Sequence, residues 1–435
     1  MKKTIQRRDF LKLSSLAGLG VVAPWLSADG SVSDYEAGGS RTFASYEGPL
    51  FVLLNAAGGW DPTLLCDPKG AKNLEEPGDA INRSYLTDDI LTAGNIAYAP
   101  VGANDAFFQK YYKDLLVING LDVQTNGHDT GTRHSWSGRL TQDFPSFGAI
   151  VAASYGLELP MSYLSFGGYD VTGGIVARTR TGNTNALTSI AYPGRTNPAD
   201  PEALFHSERA TELIRGARSA RERDLASSLR LPRIENAQNL LFAARSGAGE
   251  LKRLQEYLPD PLDNSGNRLF RQAEVAMAAF RSGLSIVANL SVGGFDTHGN
   301  HDDAHTGAME RLIEGAGFIM DEAERQGVAD RLTLVIGSDF GRTPMYNENA
   351  GKDHWSVSSM MMMGPGISGN RVVGATDDGQ RPMKVHAGSL KLDEDGIRIE
   401  PEHIHAQLRE LAGVDDGEYG RMFPVIPSED MPLLG

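Results

Sequence analysis

The chain alternates short apolar runs with glycine-rich polar loops, and this alternation constrains the fold more than any other feature of the sequence. Patterns typical of helices separate most of the runs. Alternating strands and helices predict an α/β fold, in which helices cover both faces of a mostly parallel sheet. The predicted strands are 49–55, 113–119, 163–166, 284–290, 332–337 and 357–363, and the clearest predicted helices are 145–155, 306–325 and 402–411.

The predicted elements form one domain with an insertion. Between residues 203 and 258 the pattern is helical, and Arg and Glu are interleaved along it. Interleaved charges are typical of a solvated helical face rather than a basic binding surface. We therefore predict a single α/β domain over residues 29–435, with a helical insertion at about 203–283. Strands 284–290 and 332–337 are expected to be parallel neighbours in the sheet.

The N-terminus has the features of an export signal. Basic residues precede a short apolar stretch at 13–26, which is shorter than the roughly 20 residues that a membrane span needs. The sequence Arg-Arg-Asp-Phe-Leu-Lys at 7–12 is close to the twin-arginine signature. We expect residues 1–28 to be a cleaved signal. The protein would then be periplasmic or secreted, would use the twin-arginine export machinery and would have no stable membrane span.

The charge restricts the partners that the chain can bind. The formal net charge is −15, and removal of residues 1–28 takes away five positive charges and one negative charge, which leaves −19. An acidic protein disfavours nucleic acid and anionic membranes as partners. The single cysteine, Cys66, cannot form an intramolecular disulfide.

Two loops that follow predicted strands concentrate side chains able to bind a metal ion. Gly-Gly-Phe-Asp-Thr-His-Gly-Asn-His occupies 293–301, and Ser-Asp-Phe-Gly-Arg-Thr occupies 338–343. Open α/β sheets bind ligands in such loops, at the carboxyl ends of their strands. Carboxylates mixed with imidazoles, without thiols, favour a Zn or Mn site. The candidate ligands in and near these loops are Asp296, His298, His301, Asp339 and His354.

Two further loops carry candidates. Asp61 follows the first predicted strand, and the segment 128–135 follows the second. Six of the ten histidines lie in three short motif segments, and this uneven distribution favours a shared site. These six are His128, His134, His298, His301, His305 and His354.

The order of these motifs resembles family 1501 of the domains of unknown function. That family comprises twin-arginine-exported bacterial proteins related to the alkaline phosphatase and sulfatase superfamily. The resemblance implies an alkaline phosphatase-like fold and a hydrolase of phosphate or sulfate esters that binds one or two divalent ions. The motifs that carry it are Gly-Gly-Trp-Asp (58–61), Gly-His-Asp (127–129), Gly-Gly-Phe-Asp-Thr-His (293–298), Ser-Asp-Phe-Gly-Arg-Thr (338–343) and Lys-Asp-His (352–354).

The resemblance also implies a ligand set, namely Asp61, Asp296, His298, Asp339 and His354. The superfamily has a His directly after its later Asp, whereas this chain has Phe340. One of the two metals is therefore expected to be missing, to be bound more weakly, or to be completed by His301 or His128. Arg342 would contact the anionic oxygens of the substrate, or else pair with a structural carboxylate.

The position of the superfamily's nucleophile falls on His128, which has no hydroxyl. Two schemes follow from this departure. In the first, Thr130 attacks the ester while His128 binds metal. In the second, His128 is a ligand and water attacks without a covalent intermediate.

The expected substrate is an anionic ester or a carbohydrate-derived ester. The main alternative is a non-catalytic envelope protein, used for binding or assembly, that retains a degenerate metal site. A third, weaker interpretation is a periplasmic copper protein, suggested by Met360–Met363 and the nearby histidine. Consecutive strand residues point to alternate faces of a sheet, so these four methionines cannot all meet one ion.

Overall fold

Eight strands form a central sheet, and two small antiparallel pairs lie outside it. In this computed structural model, residues 46–157, 159–180, 192, 194–197, 200, 202–226 and 251–435 are described. The strands of the sheet are β1 (Leu50–Ala57), β4 (Leu116–Asp122), β5 (Tyr163–Ser165), β6 (Arg178–Arg180), β7 (Val287–Gly293), β8 (Leu332–Ser338), β11 (Val357–Met363) and β12 (Arg371–Val373). The small pairs are β2 (Leu91–Ala93) with β3 (Ile96–Tyr98), and β9 (Gly341–Arg342) with β10 (His354–Trp355).

The helices connect these strands and precede the C-terminus. We number them α1 (Asn104–Tyr111), α2 (His128–Ser137), α3 (Phe147–Tyr155), α4 (Glu208–Ala226), α5 (Arg268–Arg281), α6 (His301–Gln326), α7 (Pro401–Leu411) and α8 (Glu418–Met422). Single 3-10 turns lie at Pro62–Leu64, Thr87–Asp89 and Ala329–Arg331.

The strand order is β12-β4-β11-β8-β1-β7-β5-β6. β1 is parallel to both β7 and β8, so that Leu54 lies opposite Leu290 on one side and Ile336 on the other. The predicted α/β class with a mostly parallel sheet is confirmed. The prediction that β7 and β8 are neighbours is wrong, because β1 pairs along its length with both. β11 is antiparallel to β4 and to β8. The loops after β7 and β8 therefore flank the loop after β1.

Two hydrophobic cores cover the two faces of the sheet. Val52 and Leu54 of β1 contribute to the core under α1, α5 and α6, whereas Phe51 and Leu53 contribute to the core under α2, α3 and α7. This alternation follows from the two-residue period of a strand. The four methionines of β11 are divided in the same way: Met361 and Met363 lie in the first core, and Met360 and Met362 lie in the second.

The predicted insertion is described only in part. α4 lies within it and is largely exposed, whereas α5, also within the predicted range, is buried at every residue from Ala273 to Phe280. Residues 227–250 and the whole predicted export signal at 1–28 lie outside the described residues. Among the described helices, none combines the length and the apolar character needed to cross a membrane.

Candidate metal centre

The loops after β1, β7 and β8 contact one another closely because glycines stand where they meet. Gly58 has φ +120°, and an added Cβ would lie 2.6 Å from the backbone N of Asp296. Gly59 has φ +84°, and its Cβ would lie 2.5 Å from Cε2 of Phe340. A side chain at either position would both strain the backbone and separate the loops. The Gly-Gly-Trp-Asp motif thus holds three strand ends together.

Three imidazoles converge on the carboxylate of Asp296. Its Oδ1 lies 2.9 Å from Nε2 of His298 and 3.1 Å from Nε2 of His354, and its Oδ2 lies 3.5 Å from Nε2 of His128. The potential ligand atoms of His128, Asp296 and His354 all lie within 4.8 Å of one another. We call His128, Asp296, His298 and His354 the imidazole cluster. The cluster is partly exposed, so that a solute can reach it.

The opposite nitrogen of each ring contacts an oxygen. Nδ1 of His128 lies 2.9 Å from Oδ2 of Asp339, Nδ1 of His298 lies 2.8 Å from Oδ1 of Asp353, and Nδ1 of His354 lies 2.8 Å from the carbonyl of Asn126. These oxygens only accept, so each Nδ1 carries the proton and donates it. In the neutral form of each ring, Nε2 presents a lone pair to Asp296, whereas in the charged form it donates a hydrogen bond to that carboxylate.

Three imidazole lone pairs that face a carboxylate repel one another unless a cation or additional protons lie among them. Metal-binding histidines are held in this way, with Nδ1–H donated to a carboxylate or carbonyl. The hydrogen bond from His298 and then that from Asn347 hold the pKa of Asp353 below its usual value. The residues present therefore fit a divalent ion with nitrogen and oxygen ligands.

Arg342 is fully buried beside the cluster. One terminal nitrogen lies 2.8 Å from Oδ1 of Asp296 and also donates to the carbonyl of Gly58. Its Nε donates to the carbonyl of Gly59 at 2.8 Å, and its other terminal nitrogen donates to that of Lys352 at 3.0 Å. Arg342 thus pairs with Asp296, the carboxylate of the imidazole cluster. Partial burial works to raise the pKa of Asp296, but the hydrogen bonds from Arg342 and His354 hold it well below its usual range.

Asp339 lies behind His128, and only 3% of it is exposed. Its Oδ2 accepts hydrogen bonds from the backbone N–H of Gly58 at 3.0 Å and from Nδ1 of His128. Its Oδ1 is buried and has no hydrogen-bond partner among the described residues. Asp339 therefore orients His128 through Oδ2, while its Oδ1 has no hydrogen-bond donor among the described residues.

Asp61 and His301 are not brought into the imidazole cluster. Both are fully buried in a separate network. Oδ1 of Asp61 accepts from the backbone N–H and the hydroxyl of Thr63, at 3.0 and 2.7 Å. Its Oδ2 accepts from Nζ of Lys352 at 2.6 Å and from Nε2 of His301 at 3.0 Å. Burial works to raise the pKa of Asp61, but Lys352 and His301 outweigh it and hold that pKa well below its usual value.

A closed ring of hydrogen bonds completes this network. The backbone N–H of Asp61 donates to Nε2 of His305 at 2.8 Å, and Nδ1–H of His305 donates to the hydroxyl of Thr297 at 2.9 Å. The Thr297 hydroxyl donates to Nδ1 of His301 at 2.7 Å, and Nε2–H of His301 returns to Asp61. Burial lowers the pKa of both histidines. Both rings are therefore neutral, and every nitrogen in them has a partner.

Sequence reasoning singled out neither Lys352 nor Thr297 as a functional residue. His305 carried a signal, since it lies four residues after His301 and thus on the same face of α6. Nothing local marks Lys352 as the partner of Asp61, because the two are 291 residues apart.

α2 begins at His128, and Thr130 lies in its first turn. Thr130 is partly exposed. Among the described residues, no hydrogen bond joins its hydroxyl to the imidazole cluster. Thr132 donates to the carbonyl of His128 at 2.7 Å and lines an open cleft of about 640 Å³ that also reaches Asp339. Thr132, rather than Thr130, is therefore the threonine of α2 that lines the cleft.

Solved structures that resemble the chain as a whole include a sulfatase, a synthase and an alkaline phosphatase. A 2-O GAG sulfatase is 10% identical, with a TM-score of 0.35, over 89% of this chain and 76% of its own. The lipoteichoic acid synthase LtaP from Listeria monocytogenes is 8% identical, with a TM-score of 0.40, over 91% of this chain and 80% of its own. A TAB5 alkaline phosphatase mutant with bound Mg is 10% identical, with a TM-score of 0.32, over 73% of this chain and 92% of its own. At these scores the similarities carry no argument about substrate, metal or mechanism.

No curated protein matches the chain. The sequence pattern of one family, described as a protein of unknown function (DUF1501), matches residues 50–419. The match extends from the first strand into α8 and includes the five motifs between residues 58 and 354. The predicted family is thereby confirmed, and the chain belongs to the DUF1501 family of proteins of unknown function.

Proposed function

We propose that the protein is a metal-dependent hydrolase of phosphate or sulfate monoesters. One observation supports this proposal above the others: three Nε2 atoms converge on the carboxylate of Asp296, while oxygens hold their Nδ1 protons. A set of donors arranged in this way suits a divalent cation. The donors are nitrogen and oxygen, which favours Zn or Mn.

His128, Asp296, His298 and His354 would hold one ion. When bound, a divalent ion supplies Lewis-acid stabilisation to the anionic oxygens of an ester. We propose a single ion rather than two, because both oxygens of Asp61 already accept two hydrogen bonds each. His301 likewise uses both ring nitrogens.

The residues of the chain would orient the ester and its attacking group. The first backbone N–H groups of α2 favour anionic oxygens at the end of that helix. Arg342 fixes the position of Asp296, and Asp339 fixes the ring of His128. The attacking group is either a hydroxyl of α2, for which Thr130 is the sequence-based candidate, or water.

Metal analysis combined with an ester panel tests this function. Protein purified without chelators should contain about one Zn or Mn per chain and should cleave at least one aryl phosphate or sulfate. Asp296→Asn and His354→Gln should lose both the metal and the activity. His386→Gln is the matched control, since His386 is exposed and contacts Ser389. Wild-type protein that holds the metal yet cleaves no ester would favour the non-catalytic envelope role instead.

We also propose export by the twin-arginine route, on the basis of Arg7 and Arg8 before the short apolar stretch. Replacing both arginines by lysine should keep the precursor in the cytoplasm, because this route requires the arginine pair. Fractionation followed by immunoblotting measures the outcome. Normal periplasmic accumulation of the double variant would refute this route, and replacement of Lys2 and Lys3 by arginine is the control that keeps the pair intact.

A further inference from the structure

An acidic cleft adjoins the imidazole cluster. The cleft has a volume of about 640 Å³, which is within the range of small-molecule sites. Helix α2 and Asp339 connect the two places, since α2 begins at the cluster residue His128, Asp339 accepts from that ring, and both line the cleft. The lining includes Asn55, Asp129, Asp143, Gly168, Tyr169 and Asp339. A group attached to an ester at the cluster would therefore extend into this cleft.

The buried oxygen of Asp339 needs a donor. Asp339 lines the cleft with 3% of its surface exposed, and its Oδ1 has no hydrogen-bond partner among the described residues. A buried carboxylate oxygen without a partner is unfavourable, because burial removes the hydrogen bonds that water would give it. A ligand that donates a hydrogen bond at this position would relieve that cost.

The charge of the cleft selects among possible donors. Its lining contains three carboxylates, from Asp129, Asp143 and Asp339, and one guanidinium, from Arg133. Arg133 donates to the carbonyl of Leu140 at 2.7 Å. The excess of negative charge repels a carboxylate or a second phosphate and attracts an ammonium group, which offers three donors and no acceptor.

We propose that this cleft binds the alcohol portion of the substrate and that this portion carries an ammonium group, as in an amino sugar or an amino alcohol. This inference rests on the proposed function for the position of the ester, but the binding itself needs neither turnover nor metal. Asp129, Asp143 and Asp339 are the residues that distinguish the ammonium from a neutral hydroxyl.

Three sugars of the same shape provide the test. They are 6-amino-6-deoxyglucose, glucose and glucuronate, which differ only in an ammonium, a hydroxyl or a carboxylate at one carbon. Calorimetric titration of the full protein at pH 7 should show the amino sugar binding about tenfold more tightly than glucose, the effect of one charge-assisted hydrogen bond. Glucuronate should bind more weakly than glucose. Equal affinity for the amino sugar and glucose, or binding of none of the three, would overturn the proposal.

Single substitutions test whether the preference for the amino sugar depends on the carboxylates of the cleft. Asp143→Asn and Asp129→Asn keep the shape of an exposed side chain while removing its charge, and each should lower the preference for the amino sugar several-fold. Asp378→Asn makes the same change at an exposed position outside the cleft and should leave the preference intact. If both cleft variants keep the wild-type preference, the cleft is not the binding site.

Repeating the titrations after chelation separates this proposal from the proposed function. Preference for the amino sugar that survives metal removal, in a protein that cleaves no ester, would support the cleft and refute the hydrolase. Ester cleavage without any preference for the ammonium group would support the hydrolase and refute the proposed role of the cleft.

Discussion

Nζ of Lys352 lies 2.6 Å from Oδ2 of Asp61, and both side chains are fully buried. The contact joins the loop after β1 to the segment that leads into β10. Each charge compensates the other in a part of the protein from which water is excluded. This pairing is the physical reason why Asp61, a predicted metal ligand, lies in a separate network from the imidazole cluster.

Removal of the Lys352 charge should strongly destabilise the fold. Lys352→Met leaves the Asp61 carboxylate buried without its cation, which costs about 3–5 kcal/mol. Chemical denaturation, followed by far-UV circular dichroism, measures the change in the free energy of unfolding. Lys110→Met is the control, since the pair of Lys110 and Asp321 is half-exposed, and its loss should cost less than about 1 kcal/mol. Similar losses in the two variants would contradict a special role for the buried pair.

Asp353 should affect metal binding without being a ligand. Its Oδ1 accepts the Nδ1 proton of His298, and this hydrogen bond fixes which nitrogen faces Asp296. Asp353→Asn should weaken Zn affinity by about 10–100-fold, as is typical when the partner of a ligating His is replaced. Competition titration with a chromogenic chelator gives the affinity. Asp378→Asn removes the same charge at a remote exposed position, and a comparable loss there would indicate a general charge effect instead.

The sheet was predictable because its central strands are continuous buried apolar runs. β11 spans Val357–Met363 in the structure, as the pattern indicated. Its antiparallel direction could not be predicted, because a strand buried on both faces has the same apolar pattern in either direction. The place of β1 between β7 and β8 also has no local signal, since it depends on pairing between distant segments.

The candidate site was predictable in part, for a similar reason. Asp296 and His298 follow β7, and loops at strand ends converge in this kind of sheet, whereas His354 lies in the short strand β10. The separation of Asp61 from them depends on Lys352, which lies 291 residues away. The position of Arg342 depends on its hydrogen bonds to backbone carbonyls of the β1 loop, which no side-chain motif reveals.

Gly131 should be required for the close approach of α2 to the loop after β8. A Cβ at this position would lie 2.5 Å from the carbonyl oxygen of Asp339 and 2.9 Å from Cδ1 of Phe340. Gly131→Ala should therefore destabilise the protein and weaken Zn binding through His128, although alanine ordinarily favours a helix by about 1 kcal/mol. Gly216→Ala in α4 is the matched control, since a Cβ there meets nothing within 4 Å, and it should be neutral or stabilising. Thermal unfolding and the chelator titration together measure both effects, and equal behaviour of the two variants would contradict the steric argument.

His405 should make the stability of the protein depend on pH. It is buried, its Nε2–H donates to the carbonyl of Ser135 at 2.9 Å, and burial lowers its pKa from 6.5 to about 4. The unfolded chain therefore binds a proton at this residue before the folded protein does, as the pH falls. The contribution of His405 is complete above pH 6.5 and is lost progressively towards pH 4, by about 3 kcal/mol in all.

Replacement of His405 by Gln keeps an N–H donor but removes the titration. Denaturation curves recorded between pH 7 and 4.5 should thus show a smaller loss of stability with falling pH for His405→Gln than for the wild type. His386→Gln should keep the wild-type dependence, because His386 is exposed. Any metal released in the same pH range affects all three proteins alike, so the difference between His405→Gln and the other two reports on His405 alone. An unchanged slope in His405→Gln would mean that this ring takes up a proton as readily in the folded protein as in the unfolded chain.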